Sequence, residues 1–562
     1  MSVAKTGAMS VAEGRGGCSG GIEIEVGIAL SPERMVRLRS HLESRELDPR
    51  SADPRTAMTS PAHGGSFRVL RTAHVAPSSS AGAGCNPLPE ATQPLTFLDA
   101  IWLIRPPVER GFFYRLGDGG GATCDVDVAL SRLVDSLARA LHVFYPLAGR
   151  LRLTPGKANR YELFYQPGDA VAFTVAEHDV VGLDELATDV RREVSKIAPL
   201  VPELPDGGAV LAVQATVLLP ACRALAPGVT VHHAACDGAS STHFLHTWAA
   251  ICAGAAATPP PPVIDRTSIR EREDIHDVMT ARLHDHVKTT TINSPDVVDN
   301  KLLATFTLSR ENLQSIKERI ADVATRRGVP PPWCTSVVAT FAVIWRCHVR
   351  AALGAGCDVE EEPRNHGRRA HLLFVTDLRS RMEPRVPDKY LGNCVGPCFA
   401  SAPRTDIAAA GADGLFAACS AIAAAVDEGT RYDPGYWDRY REQSLEVSTS
   451  GAPPLSVAGS PRFRVYDVDF GFGRPAKVDV VSVAKTGAMS VAAALRWASL
   501  CRRSGWRGSG GASAKTSPSR GRRRDPVISG IEYMSIAGPP NGRLVAQGRG
   551  RAPRAASALL DY

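Results

Sequence analysis

No apolar run in this chain is long enough to cross a bilayer. The best candidate, AVLAVQATVLLPAC at 209–222, is short and broken by Gln214 and Pro220. The N-terminus, MSVAKTGAMSVAEGRGG, lacks the continuous apolar core of a secretory signal. None of the thirteen cysteines forms a CxxC pair, and the nearest two are Cys394 and Cys398. Scattered, odd-numbered thiols suit a reducing compartment, so the expected address is the cytosol. No GxGxxG follows a first strand, no P-loop is present, and no H-E-x-x-H spacing suggests zinc. The expectation is a site with no metal and no resident cofactor, in a protein without a membrane partner.

Charge is unevenly placed. The net charge is +7, but from Ala493 to Tyr562 thirteen Arg and Lys face only three acids, leaving the rest of the chain slightly negative. This tail has Arg but few aromatics and no folded module, so nucleic acid is not expected as a partner. Its Arg, Gly and Ser bias reads as disorder.

At 562 residues the chain can hold two or three cores. Residues 1–47 predict a glycine-rich turn, a strand (IEIEVGIAL) and a helix opening at Ser31, with Pro at its first position. Residues 48–65 read as a linker. Residues 66–256 mix strands with helices, including a helix over 130–145 and adjacent buried strands in AVLAVQATVLL and GVTVHHAACDG. Four prolines in ATPPPPVIDR end this half, and residues 257–302 form a crossover. Residues 303–492 again alternate, with strands expected in LATFTLS, HLLFVTDLR, GNCVGPCFAS, RFRVYDVDFG and KVDVVSVA. The fold class is α/β in two halves of similar size.

The chemistry concentrates in VTVHHAACDGASSTHFLHTW, where His233 and Asp237 stand in an H-x-x-x-D arrangement. With fifteen histidines such a pair arises about once by chance. Its context adds to it: an apolar strand delivers the pair into a turn at Asp237–Gly238, and a helix follows. A histidine so placed is either a general base, taking a hydroxyl proton near neutral pH, or a core side chain satisfied by a backbone carbonyl. His232 must point the other way if the strand is extended. Cys236 reads as a small buried residue, and Ser240 and Ser241 as helix N-terminal residues without a G-x-S-x-G elbow. In YDVDFGFGRP (466–475), Asp469 reads as the pin of a tight glycine turn.

Taken together these pieces resemble the plant BAHD acyltransferases. HHAACDG matches the HxxxD box through His233, Asp237 and Gly238. The run Asp469-Phe470-Gly471-Phe472-Gly473 matches D-F-G-W-G, with Phe472 in the tryptophan position. YLGNC, through Tyr390, Gly392, Asn393 and Cys394, resembles the Y-F-G-N-C box of the branch acting on anthocyanins and other flavonoid or phenolic glycosides. LTFLDAIWL and FYPLAGRLR also look like this branch. The resemblance implies two chloramphenicol-acetyltransferase-like domains with a solvent channel between them, acting as a monomer. Acyl-CoA and a phenolic glycoside meet there, and His233 is the general base. The acyl group is malonyl by preference, with hydroxycinnamoyl as the other choice. Asp237 pairs with an arginine, for which Arg379 is the match, and Asp469 with its glycines is architectural. The alternative is a relative impaired by an incomplete C-terminal sheet.

That alternative arises from a duplication. SVAKTGAMSVA occurs at 2–12 and again at 482–492. Residues 1–47 resemble the family's C-terminal ending, while the second copy stops matching after Ala492. A fused or misread gene explains this simply. It leaves a slot in the second sheet. GGIEIEVGIAL has the alternation to fill that slot in cis, and SGIEYMSIAG at 529–538 could compete.

Overall fold

The strand Ala224–Val231 is buried at every position and forms the spine of the first half. The computed structural model that shows this describes residues 23–30, 67–78, 88–116, 126–179, 181–189, 191–219, 224–289, 301–353, 369–450 and 454–494. Six strands form the first sheet, in the order Lys477–Val480, Val108–Arg115, Ala224–Val231, Leu211–Leu218, Val171–His178, Phe67–Val75. Pro227 has no N–H to give, and the ladder to Val108–Arg115 skips it between Leu225↔Tyr114 and Gly228↔Gly111. Helices Val126–Val143 and Gly238–Cys252 pack on this sheet, with Trp248 and Phe244 fully buried between layers.

The second sheet has seven strands, in the order Val395–Pro403, Arg369–Asp377, Leu455–Ala458, Met489–Ala494, Glu23–Leu30, Leu302–Leu308, Arg192–Glu193. Its core lies against helices Ser336–Leu353 and Gly411–Gly429. A third sheet of three short strands, Ala91–Pro94, Tyr161–Tyr165 and Arg150–Leu153, flanks the first half.

The two large sheets exchange strands. Lys477–Val480 comes from the second half in sequence but pairs with Val108–Arg115, and Arg192–Glu193 pairs with Leu302 and Leu303. The exchange is locked by a buried ion pair between Arg192 and Asp479, one residue from each exchanged strand. The halves are thus interleaved, where the sequence boundaries 66–256 and 303–492 draw them as separate runs.

The N-terminal strand occupies the slot. Glu23–Leu30 runs antiparallel to Met489–Ala494 on one side and to Leu302–Leu308 on the other. Ile24, Val26 and Ile28 alternate into the second core, each 2% exposed or less. Gly27 sits opposite Ser490, whose hydroxyl takes the space of a Cβ. The sheet is therefore continuous, which corrects the incomplete sheet of the alternative reading. The helix expected from Ser31, the linker 48–65 and the 493–562 tail beyond Ala494 lie outside the described residues, as does SGIEYMSIAG.

Two other expectations are corrected. RFRVYDVDFG is not a strand but two short 3-10 turns, Pro461–Phe463 and Val465–Asp467. Pro461 opens the first, Ser460 caps it, and Arg464 between them takes a left-handed φ of 48° that no strand allows. KVDVVSVA is a strand only to Val480. The chain then coils into Val483–Thr486 and is released by Gly487 in the left-handed region.

Candidate active site

His233 leaves the end of the spine strand. Extension stops at Val231, and Ala235 N–H closes a turn onto the His232 carbonyl. Past the end of the strand the two histidines have different surroundings. His232 accepts the Ala234 N–H at Nδ1, 3.2 Å away, while the His233 ring lines a cavity of about 1880 Å³. That cavity takes Trp102, Arg110 and His233 from the first half and Thr376, Ser456 and Phe463 from the second. The Nδ1 of His233 is sealed from solvent, so Nε2 is the nitrogen left facing the cavity. Burial pushes the His233 pKa down from 6.5 to about 4, and His232 behaves alike. The imidazole is therefore neutral at physiological pH.

Asp237 borders the same cavity but is only 2% exposed, and both its carboxylate oxygens are engaged. One oxygen caps the helix Gly238–Cys252 by accepting Ser240 N–H at 2.9 Å. The other accepts Cys394 N–H at 3.1 Å and pairs with Arg379 Nη2 at 2.9 Å. Asp237 N–H donates to the Gly392 carbonyl, and Ser240 Oγ donates to the Tyr390 and Gly392 carbonyls. Gly238 is required by contact, since a Cβ there would stand 2.7 Å from the Phe463 ring. A Cβ on Gly392, at φ +154°, would strike the Arg266 guanidinium and the Tyr390 ring.

The YLGNC segment thus clamps the HxxxD loop. Asn393 Nδ2 donates to the His233 carbonyl at 2.9 Å and to Asp99 Oδ1 at 3.0 Å. Asp99, fully buried, also accepts Asn393 N–H and pairs with Arg266 Nη1 at 2.9 Å. Arg266 in turn donates to the Tyr390 hydroxyl at 2.8 Å. Burial alone would lower the pKa of Arg266 and Arg379, but the Asp99 and Asp237 carboxylates outweigh it and raise both. Burial pushes the Cys236 thiol up to about 12 and the Cys394 thiol higher still, so both are neutral. The described cysteines are all free thiols.

Asp469 does a turn's work. Its Oδ1 accepts the N–H groups of Gly471 and Gly473 at 2.7 and 2.9 Å. Phe470 plunges into the first core, edge-on to Trp248 at 4.6 Å. Phe472 lies half-buried, edge-on to Tyr114 at 5.9 Å with the Arg132 guanidinium 5.8 Å from its ring.

Three residues of this centre carry no motif of their own and escape a reading of spacing: Trp102, Asp99 and Arg266. Trp102 stacks on His233, and Asp99 and Arg266 anchor Asn393 and Tyr390. The only signal was LTFLDAIWL, which holds Asp99 and Trp102 but assigns neither a task. Among the described residues no group of His, Cys, Asp and Glu is arranged to hold a metal, and no helix is long and apolar enough to cross a membrane.

His233 thus stands on a loop between two interleaved α/β halves, and comparison with known proteins identifies the family. Residues 83–495 match the family described as "Transferase family", and the chain belongs to it, as a BAHD acyltransferase. It is 31% identical to phenolic glucoside malonyltransferase 1 of Arabidopsis thaliana over 76% of this chain and 91% of that protein. It is 26% identical to malonyl-coenzyme A:anthocyanin 3-O-glucoside-6''-O-malonyltransferase of Dahlia pinnata, over 71% and 86%. The crystal structure of vinorine synthase shares the two-domain fold with a TM-score of 0.53 at 18% identity, over 76% of this chain and 91% of that one.

Proposed function

We propose that the protein transfers an acyl group, malonyl by preference, from acyl-CoA to a hydroxyl of a flavonoid or other phenolic glycoside, with His233 as general base. The observation that carries this reading is the neutral imidazole whose Nε2 faces a cavity lined by both halves. A neutral Nε2 can take the acceptor hydroxyl proton as the oxygen attacks the thioester carbonyl. The tetrahedral intermediate then expels CoA thiolate, which needs no acyl-enzyme. Asp237 and Arg379 hold the loop rather than the substrate, and Asn393 fixes the His233 backbone from below. The names of the relatives, which act on phenolic glucosides and anthocyanins with malonyl donors, support the substrate class. A cytosolic monomer fits this role.

The test is thiol release from malonyl-CoA in the presence of a panel of phenolic glucosides, with product detected by mass. His233→Ala is expected to lower kcat by about 10²–10⁴-fold, the usual range for a lost general base. Equal turnover by the variant overturns the assignment.

A further inference from the structure

Three guanidiniums lie buried around the His233 loop, and two of them have carboxylates: Arg266 has Asp99 and Arg379 has Asp237. The third, Arg110, has none among the described residues. It is 9% exposed, and its one hydrogen bond runs from Nη1 to Ser241 Oγ at 3.0 Å. Its neighbour Cys236 is a neutral thiol and no counter-ion. Burial lowers the pKa of Arg110, whereas those of the two paired arginines rise. A buried cation without an anion is costly unless a ligand supplies one.

Strand geometry aims it at the reaction centre. Arg110 lies between Val229 and Val480 in the first sheet. Alternation from Val229 brings Val231 to the same face, and the turn that follows carries His233. Arg110, Val231, Val480 and His233 all line the cavity. Ser241, which holds Arg110, stands in the first turn of the helix that Asp237 caps, so the guanidinium is tied to the loop that carries His233.

The geometry points to Arg110 as the residue that selects the acyl donor, by binding a carboxylate at the far end of the acyl group. This rests on the acyltransfer reading above. It makes the donor a monothioester of a short dicarboxylic acid, as malonyl-CoA is, and disfavours a hydroxycinnamoyl thioester, whose phenol cannot neutralise the guanidinium. A planar fork that meets a carboxylate in a dry site discriminates strongly against a donor lacking it. Arg105 also lines the cavity, but it is more exposed and lies toward Tyr440, so it serves as the comparison.

The experiment measures kcat/KM of the full chain with malonyl-, succinyl-, acetyl- and p-coumaroyl-CoA on one phenolic glucoside acceptor. Wild type, Arg110→Met, Arg110→Lys and Arg105→Met are compared. Wild type is expected to favour malonyl over acetyl by about 100-fold or more, and Arg110→Met to cut that ratio by at least about 30-fold, with Arg110→Lys between them. The inference is overturned if Arg110→Met leaves the ratio within about threefold, if Arg105→Met carries the loss instead, or if wild type prefers p-coumaroyl-CoA. Calorimetric binding to wild type needs no variant to fold: malonyl-CoA is expected to bind more tightly than acetyl-CoA, and equal affinities overturn the inference. If Arg110→Met weakens free CoA as much as malonyl-CoA, the arginine reads a phosphate and the inference fails. Silence with every donor and acceptor is a failure of the acyltransfer reading. Turnover that ignores the donor's carboxylate is a failure of this inference alone.

Discussion

The imidazole of His233 lies flat against the indole of Trp102, with ring centroids 3.8 Å apart and planes 7° from parallel. The contact shields one face of the imidazole and fixes its plane. Trp102→Ala is expected to lower kcat by about 10- to 100-fold, because a base freed to tilt loses its aim at the hydroxyl. Trp102→Phe keeps a flat surface and is expected to retain most of the rate. Steady-state kinetics on both variants check this, with melting temperatures to separate misfolding from misalignment.

Acidity should act late on the rate. With His233 held near pKa 4 by burial, its imidazole remains unprotonated well below pH 6.5. The acidic limb of kcat/KM is expected near pH 4–5, and a midpoint at about 6.5 would contradict the buried base. Stability carries the same sign. His232, His233 and His243 all have folded values of about 4, below the 6.5 of a free imidazole. Between those values the unfolded chain binds more protons, so unfolding free energy falls as pH drops through that window. Melting temperature against pH measures it.

Breaking the Asp237–Arg379 pair should be severe. Both side chains are almost fully buried; without Arg379 the Asp237 carboxylate loses its cation, and without Asp237 the Arg379 guanidinium keeps only a 3.4 Å pairing with the half-exposed Asp377. Arg379→Met and Asp237→Ala are each expected to cost about 3–5 kcal/mol, with the double variant well below their sum. Urea unfolding of the four forms completes the cycle.

The N-terminal strand should be indispensable. Val26→Asp places a charge in the second core at a site 2% exposed, and is expected to cost several kcal/mol or abolish soluble expression. Removing residues 1–47 is expected to lower the melting temperature and activity together. A synthetic peptide spanning residues 20–32 should restore part of both. Unchanged behaviour of the truncated chain would exclude this strand from the sheet.

Much of this was legible in the sequence, for stated reasons. The strands Leu211–Leu218 and Leu302–Leu308 announce themselves by largely apolar runs. The pairing of His233 with Asp237 needed the ordered boxes, since its spacing alone is common. Arg379 was found because the resemblance said to look for a cation. Asp99, Trp102, Arg110 and Arg266 were out of reach: each is a single residue whose meaning lies in a partner more than a hundred positions away. RFRVYDVDFG misled because alternation was counted while Pro461 and the left-handed Arg464 were not. The exchange of Lys477–Val480 and Arg192–Glu193 between sheets leaves no local mark at all, since strands of four and two residues carry too little pattern to show which sheet they join.

Glu23–Leu30 lies between Leu302–Leu308 and Met489–Ala494, so the first of the described strands is flanked on both sides only after the last of them has been made. Until Leu302–Leu308 emerges, Ile24, Val26 and Ile28 have no neighbouring strand of their own sheet. The nascent protein must carry that greasy ribbon uncovered, a bait for chaperones and for other unfinished copies.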